Sequence, residues 1–377
     1  MIESQFLKLH FSQLVNAWKL SRYNTYSNVQ KQIYHEHLAI LFSELKKTNF
    51  DTISTTECTE IKEIIDFFIQ SLNFLNNSTI NNVPYELIEC LRLAMKDWID
   101  NHDDYIIVTS YNDYSFNPSL VMLTTYTIIE AKFKIKFERK LVQINLPKHL
   151  ERDYLCNAVL YHELGHFIDQ VQSIYKPISD TIWNNRTNRD CIKYFPYILS
   201  TSYPDDYKRI VLANHVMEYF ADIFASQYIQ KASYHYLSYI AKDCGTSETH
   251  PATLNRIIFI NEFLGGSPYN FVLETFISET LKQTQKEIKY RSTPLSCNDF
   301  LNLIPCIITE PNQLHSLFLN GWEIWINDTE RFQAENNMTE ALRPSQIYQI
   351  INNLIEKSIN NFIVIEKWKK SSQLEHI

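Results

Sequence analysis

Glycine is almost missing from this chain of 377 residues, which has only five, and proline is sparse at twelve. That scarcity excludes collagen-like, linker-rich and disordered material. Basic runs are also absent and the net charge is −8. A dedicated nucleic-acid binder needs clustered Lys and Arg against phosphate, so no nucleic-acid partner is expected. The seven cysteines (Cys58, Cys90, Cys156, Cys191, Cys244, Cys297 and Cys306) are scattered, odd in number and without a CxxC pair. They read as reduced thiols, neither a disulfide framework nor a cysteine-zinc site. No stretch reaches the roughly 18 uninterrupted apolar residues of a spanning helix; "SLVMLTTYTIIEA" comes nearest, and no membrane insertion is expected. The N-terminal "MIESQFLKLHFSQLV" lacks a basic n-region and a small-residue cleavage site. A soluble, cytoplasmic protein is the expectation.

What the chain has in quantity is aromatic residues, with 23 Tyr and 22 Phe, enough to bury a sizeable core. Four segments in residues 1–100 ("FLKLHFSQLVNAW", "NVQKQIYHEHLAILFSELKK", "EIKEIIDFFIQSLNFL" and "YELIECLRLAMKDWI") repeat apolar residues every three to four positions and predict helices. Between 101 and 147 the runs "YIIVTSY", "LVMLTTYTIIEAKFKIKF" and "RKLVQINLP" are β-branched and aromatic, and predict a small sheet. Helical pattern resumes near 150 and dominates to the end, with breaks near 176–204, 244–252 and 291–296. The last segment, "IYQIINNLIEKSINNFIVIEKWKK", is amphipathic and ends in lysines that suit the negative end of a helix dipole. The expected class is α+β, mainly helical. Its expected regions are a helical N-terminal part (1–100), a core (101–265) and a helical C-terminal part (266–377) that caps the site.

The chemistry concentrates in "LERDYLCNAVLYHELGHFIDQVQSIY", residues 150–175, which reads as one helix between Pro147 and Pro177. His162 and His166 stand at i and i+4, one turn apart on one face, where two imidazoles can share a Zn²⁺ ion. Glu163, rotated off that pair, faces the position of a metal-bound water; this is the HExxH arrangement. Zinc enzymes commonly add a third protein ligand. A further histidine six residues on is not there, because Asp169 and Gln172 hold the positions of that pattern's glycine and histidine. Glu218 is the expected third ligand, on the strongly periodic "RIVLANHVMEYFADIFASQYI" (209–229). Asp169, His215 and His250 are the other candidates. Asp222, one turn beyond Glu218, would accept the free ring N–H of a ligand histidine, with His162 the expected recipient. Ala221 and Ala225 would let the two helices approach closely. Gly165 costs about 1 kcal/mol relative to alanine inside a helix, and clearance for another backbone or side chain beside the metal would account for it.

"HELGH" followed by "EYFAD" resembles the gluzincin metallopeptidases, which hold zinc with HExxH and a glutamate in an ExxxD helix. "SETHPATLNRI" (247–257) is similar to the His-Pro…Arg segment of the group containing HtpX heat-shock proteases and type-I CAAX prenyl proteases. The likeness covers about 150–260. It departs from that group in having no transmembrane segment, so a membrane setting and prenylated substrates do not carry over. The resemblance implies a zincin-like core with one zinc per chain and a zinc-dependent endopeptidase acting on protein or peptide. Zinc would lower the pKa of its water toward ~7, and Glu163 would take the proton as general base and pass it to the leaving amine. His250 would donate to the oxyanion, with Tyr219 or Tyr228 as substitutes, and Arg256 would serve as a structural or substrate-binding cation. "RKLVQINLP" resembles the edge strand on which such enzymes align an extended peptide.

Plainer readings stand beside these. The histidine pair could occupy a partly buried helix without metal, Glu218 could be a surface acid, and Asp222 an ordinary helix charge. His250 could belong to a turn before a helix. A catalytically silent or regulatory protein-binding module on a peptidase-like scaffold is the alternative function, and a non-peptidase zinc hydrolase a weaker third. His35 and His37 in "YHEHL" lie two apart on a helix and point to different faces, so a structural role is expected for both. "GWEIWI" (321–326) is expected in the core.

Overall fold

The computed structural model describes residues 2–374 apart from 27, 79–83, 113–116, 120–122, 151, 243, 297 and 337–339. Helices α1 (Ile2–Ser21), α2 (Val29–Lys47), α3 (Thr55–Asn77) and α4 (Tyr85–Trp98) coincide with the four periodic segments of the N-terminal sequence. Strands β1 (Tyr105–Asn112) and β2 (Asn117–Ser119), helix α5 (Leu123–Phe133) and strand β3 (Lys140–Pro147) follow. The middle of the chain carries α6 (Leu160–Gln172), α7 (Tyr175–Asn184), α8 (Arg189–Tyr194), α9 (Asp205–Ile229), α10 (Ala232–Ile240), α11 (Thr253–Gly265) and α12 (Phe271–Thr284). The last helices are α13 (Asn298–Leu301), α14 (Ser316–Asn327), α15 (Thr329–Glu335) and α16 (Pro344–Leu374). The chain is mainly helical with a small sheet, as the sequence predicts.

Two units divide the chain, and not at the boundaries of the three expected regions. The first comprises 1–83 and 101–151; the second comprises 84–100 and 152–377. Thus α4 belongs with the C-terminal two-thirds, and the sheet with the N-terminal helices.

In the first unit, α3 starts at a capping box: the Ser54 hydroxyl accepts from Glu57 N–H, while the Glu57 carboxylate accepts from Ser54 N–H. Its core gathers Trp18, Tyr34, Leu38, Phe67, Phe68, Tyr126 and Phe137. His35 is buried and stacks on Trp18, with ring centroids 5.1 Å apart, while His37 Nδ1 bonds the Ile33 carbonyl at 2.9 Å. The two rings have separate structural places.

The sheet order is β1-β3-β2. Two expectations are corrected here. The run 120–137 is not a strand: 120–122 lie outside the described residues, and 123–133 form helix α5. Its Tyr126 and Ile129, three apart, bury one helical face, and the Tyr126 hydroxyl accepts from Leu141 N–H at 3.0 Å. Tertiary packing of that face outweighs the weak β-preference of Thr and Ile. β3 is likewise no edge. It pairs with β1 in parallel along its whole length and with β2 antiparallel at Gln143–Asn145. Leu141–Pro147 are all buried, as suits a strand covered on both faces. At Gln143–Asn145 both sides of β3 are already paired, so an added peptide strand has no edge there.

In the second unit, the expected single helix over 150–175 is shorter. A 3-10 turn at Cys156–Val159 leads into α6, and α6 stops at Ser173, which takes a left-handed conformation (φ 54°). Pro177 does not end it. It sits in the first turn of α7, where a proline costs no intrahelical hydrogen bond. The stretch 176–204, expected to be broken, holds most of α7 and all of α8. α9 is the axis of this unit: α6, α7, α10, α11 and α14 all pack on it, and from Glu218 to Ile229 every residue is buried. α12 packs on α7 and α8, and α14 on α16. Trp322 of "GWEIWI" is buried, with its indole N–H donated to the Leu155 carbonyl at 3.2 Å. The described cysteines are free thiols, and no described helix is long and apolar enough to cross a membrane.

α6 and α9 approach each other closely at Gly165. A Cβ placed on Gly165 would lie 2.8 Å from the Ala221 backbone Cα, 3.1 Å from Phe224 Cβ and 3.2 Å from Ala221 Cβ. One of these atoms is backbone and the other two are Cβ atoms fixed directly to it, so the helices would have to part. Gly165→Ala is therefore expected to lower the unfolding free energy by about 1–3 kcal/mol despite alanine's better helix propensity. Gly265→Ala, whose added Cβ meets nothing within 4 Å, is the control and should be neutral. Urea denaturation of the two variants checks the difference.

Candidate metal centre

His162, Glu163 and Gly165 all fall on the buried face of α6, and Glu218 and Asp222 on buried α9. The α6–α9 contact through Gly165 and Ala221 lies between the two histidines on one helix and between the two acids on the other. The four side chains therefore converge around that point. His162 Nε2 and His166 Nε2 stand 3.0 Å apart. Glu218 spans them, Oε2 lying 3.4 Å from His162 Nε2 and Oε1 3.4 Å from His166 Nε2. These three residues, largely buried, form a group that could hold a metal ion. The donor chemistry fits: two imidazole nitrogens and a carboxylate are a common set for a borderline divalent ion. Glu218 Oε2 is buried and makes no hydrogen bond, although cationic side chains lie within 3.4 Å of it.

Asp222 lies beside His162. Its Oδ1 lies 3.0 Å from His162 Nδ1, which leaves Nε2 to face the donor group. Arg256 on α11 holds this carboxylate bidentately, Nε donating to Oδ2 and Nη2 to Oδ1, both at 2.7 Å. Arg256 Nη1 also lies 3.3 Å from Glu218 Oε2. The guanidinium is buried, so of the two roles expected for Arg256 the structural one matches its position and the substrate-binding one does not. It organises the acids behind the histidines.

The charges shape one another strongly. Burial opposes the His162 cation, but its contacts with Asp222 and Glu218 prevail and push its pKa up to about 10. Burial would raise Glu218, yet His162 and His166 hold it well below the ordinary carboxylate range. Asp222 is likewise lowered against burial, by Arg256 and then His162. Glu163, buried beside them, is raised by desolvation, and the two histidines offset only part of this.

The other candidates separate cleanly. Asp169 is buried and caps α7, its Oδ1 accepting from Tyr175 N–H at 2.7 Å; burial pushes its pKa up to about 7. His215 donates from Nε2 to the Ser247 carbonyl at 2.7 Å, so it too is spoken for. Tyr219 and Tyr228 are buried and give their hydroxyl protons to the Tyr194 and Ala94 carbonyls, at 3.2 and 3.0 Å. Neither is free to serve as an oxyanion donor, which corrects that expectation. His250 does approach the group: its Nε2 lies 3.5 Å from Glu218 Oε1, while the side chain is 59% exposed. It is the solvent-facing member of the cluster.

What sequence reasoning missed is how the loop carrying His250 is seated. The His215–Ser247 bond and Asn214 Nδ2 to the Glu248 carbonyl (3.2 Å) hold residues 247–248 against α9, and the Tyr197 hydroxyl, from the segment before α9, holds the Thr246 carbonyl (3.3 Å). Thr249 Oγ1 then holds His250 Nδ1 at 2.8 Å. The only sequence signal was spacing on α9, where Asn214 and His215 precede Glu218 by about one turn. No protein-family model matches this chain, and neither a curated protein nor a solved structure is significantly similar to it.

Proposed function

We propose that this protein is a zinc-dependent metalloendopeptidase, with His162, His166 and Glu218 as zinc ligands and Glu163 as general base. The observation that carries the reading is the buried two-histidine, one-carboxylate group with a second glutamate beside it on the same helix. His162 Nε2 and His166 Nε2 lie 3.0 Å apart and a different oxygen of Glu218 lies 3.4 Å from each, close enough together for these three side chains to hold one divalent ion. When bound, zinc supplies Lewis acidity that makes a water acidic near neutral pH and polarises a carbonyl.

The chain's own residues do the rest. Glu163 accepts the proton of the attacking water and returns it to the amide nitrogen as the C–N bond breaks, so one water yields a carboxylate and an amine. His250 Nε2, on the exposed side of the cluster, donates to the carbonyl oxygen as it gains negative charge. Asp222 fixes the tautomer of His162, and Arg256 keeps Asp222 ionised and in place. Protein or peptide is the proposed substrate.

Purified protein should contain about one zinc per chain, and His162→Ala should contain none; a metal-free wild type would sink the proposal. Glu163→Gln should keep zinc at wild-type stoichiometry and lose about 10²–10⁴-fold in hydrolysis. Comparing N-terminal peptides from cells expressing wild type or Glu163→Gln reads this out without a known substrate. Identical peptide sets would favour a silent, protein-binding module on the same scaffold. Asp222→Asn keeps the shape and removes the charge, and zinc affinity should fall about 10-fold or more, as measured by competition with a chelating dye.

A further inference from the structure

Helix α16 carries two opposite stripes. Ile351, Ile355, Ile359 and Phe362 are buried and hold it to its unit. On the far side Lys357, Asn361, Val364 and Trp368, spaced i, i+4, i+7 and i+11, all face solvent. The first two are polar, as an outer face should be; the last two are not. Val364 is 61% exposed, Trp368 77% and neighbouring Ile365 45%. An apolar group on the solvent side is not a misplaced core stripe, because the core stripe is already present on the other face. A second exposed apolar segment lies near it. Cys306 N–H bonds Ser358 Oγ at 2.9 Å, pinning the 303–307 loop to α16, and Leu303, Ile304 and Ile307 of that loop are exposed. Ile365 follows Ser358 by seven residues and so lies on the same side of the helix.

Next to Trp368 the cations are in excess: Lys367, Lys369 and Lys370 stand against Glu366, which pairs with Lys369 at 2.8 Å, in a chain whose net charge is −8. Lys367 and Lys369 flank Trp368 on both sides along the helix. The helix dipole accounts for cations near a C-terminus but not for exposed Trp, Val and Ile among them. From this geometry we infer that the C-terminal half of α16, with the 303–307 loop, is a peripheral docking surface for an anionic lipid bilayer. Tryptophan settles at headgroup depth, the aliphatic side chains dip below it, and lysines meet anionic headgroups. A second copy of the chain is a poor occupant, because six apolar side chains fall far short of the 20–30 residues a side in a stable interface. The inference is independent of the peptidase reading.

The test is co-sedimentation of the full chain with vesicles of phosphatidylcholine alone or mixed with phosphatidylserine. Binding is expected only to the mixed vesicles, and it should weaken as salt rises. Lys367→Gln/Lys369→Gln/Lys370→Gln should lower binding about 100-fold, at about fivefold per charge. Val364→Ser/Trp368→Ser should also release the protein, whereas Lys46→Gln/Lys47→Gln on α2 should change nothing. All substituted side chains are exposed, and circular dichroism verifies the fold. No binding to anionic vesicles, equal binding to both kinds, or binding unaffected by the α16 substitutions overturns the inference. So does self-association, seen by sedimentation velocity, that Val364→Ser/Trp368→Ser abolishes.

Discussion

The site depends on one steric fact: α6 and α9 touch backbone to backbone where Gly165 meets Ala221. A Cβ at Gly165 would fall 2.8 Å from the neighbouring backbone, so no other residue permits this approach without parting the helices. The contact falls between His162 and His166 on one helix and between Glu218 and Asp222 on the other. An imidazole and a carboxylate have fixed reach. They come within 3.4 Å of one another only because the two helix axes are so close. In a chain with five glycines, spending one in mid-helix is explained by this clearance rather than by flexibility.

Close helices bring charges close as well, and a buried cluster of this kind is stable only if each charge is answered. Arg256 performs much of that work. Arriving on a third helix, α11, it clamps Asp222 with two hydrogen bonds and approaches Glu218. Asp222 in turn orients His162. The order of support therefore runs from α11 through α9 to α6, and Glu218 Oε2 stands at its end as a buried acceptor without a hydrogen bond. The loop bearing His250 is seated by a separate set of contacts on α9, so the exposed histidine is positioned apart from the buried cluster.

Legibility followed the range of the interactions involved. His162, Glu163 and His166, and Glu218 with Asp222, were readable because i, i+4 spacing on a helix is a local property. The pairing of the two helices was inferable from Gly165, Ala221 and Ala225, since small residues announce close packing. Arg256 could be named as a cation, but nothing local told a buried clamp on Asp222 from a residue that meets substrate. Tyr219 and Tyr228 looked available for the same reason: their carbonyl partners, at Tyr194 and Ala94, are far away in sequence. The segment 123–133 reads as strand by composition and folds as helix because Tyr126 and Ile129 bury one face together.

By itself the sequence determined where the helices of the N-terminal region run, which residues of α6 and α9 share a face, and which donor atoms are on offer. These follow from periodicities of a few residues, set by backbone geometry alone. Only the tertiary structure decided that β3 is a central strand, that α4 joins the C-terminal unit, that Pro177 opens a helix instead of ending one, and which of the buried cations and hydroxyls face the cluster. Each of those turns on partners brought from tens to hundreds of residues away, or on whether a proline's missing N–H would have had a partner at all. No short-range pattern encodes such pairings; they are settled only when the packed chain brings those distant groups together.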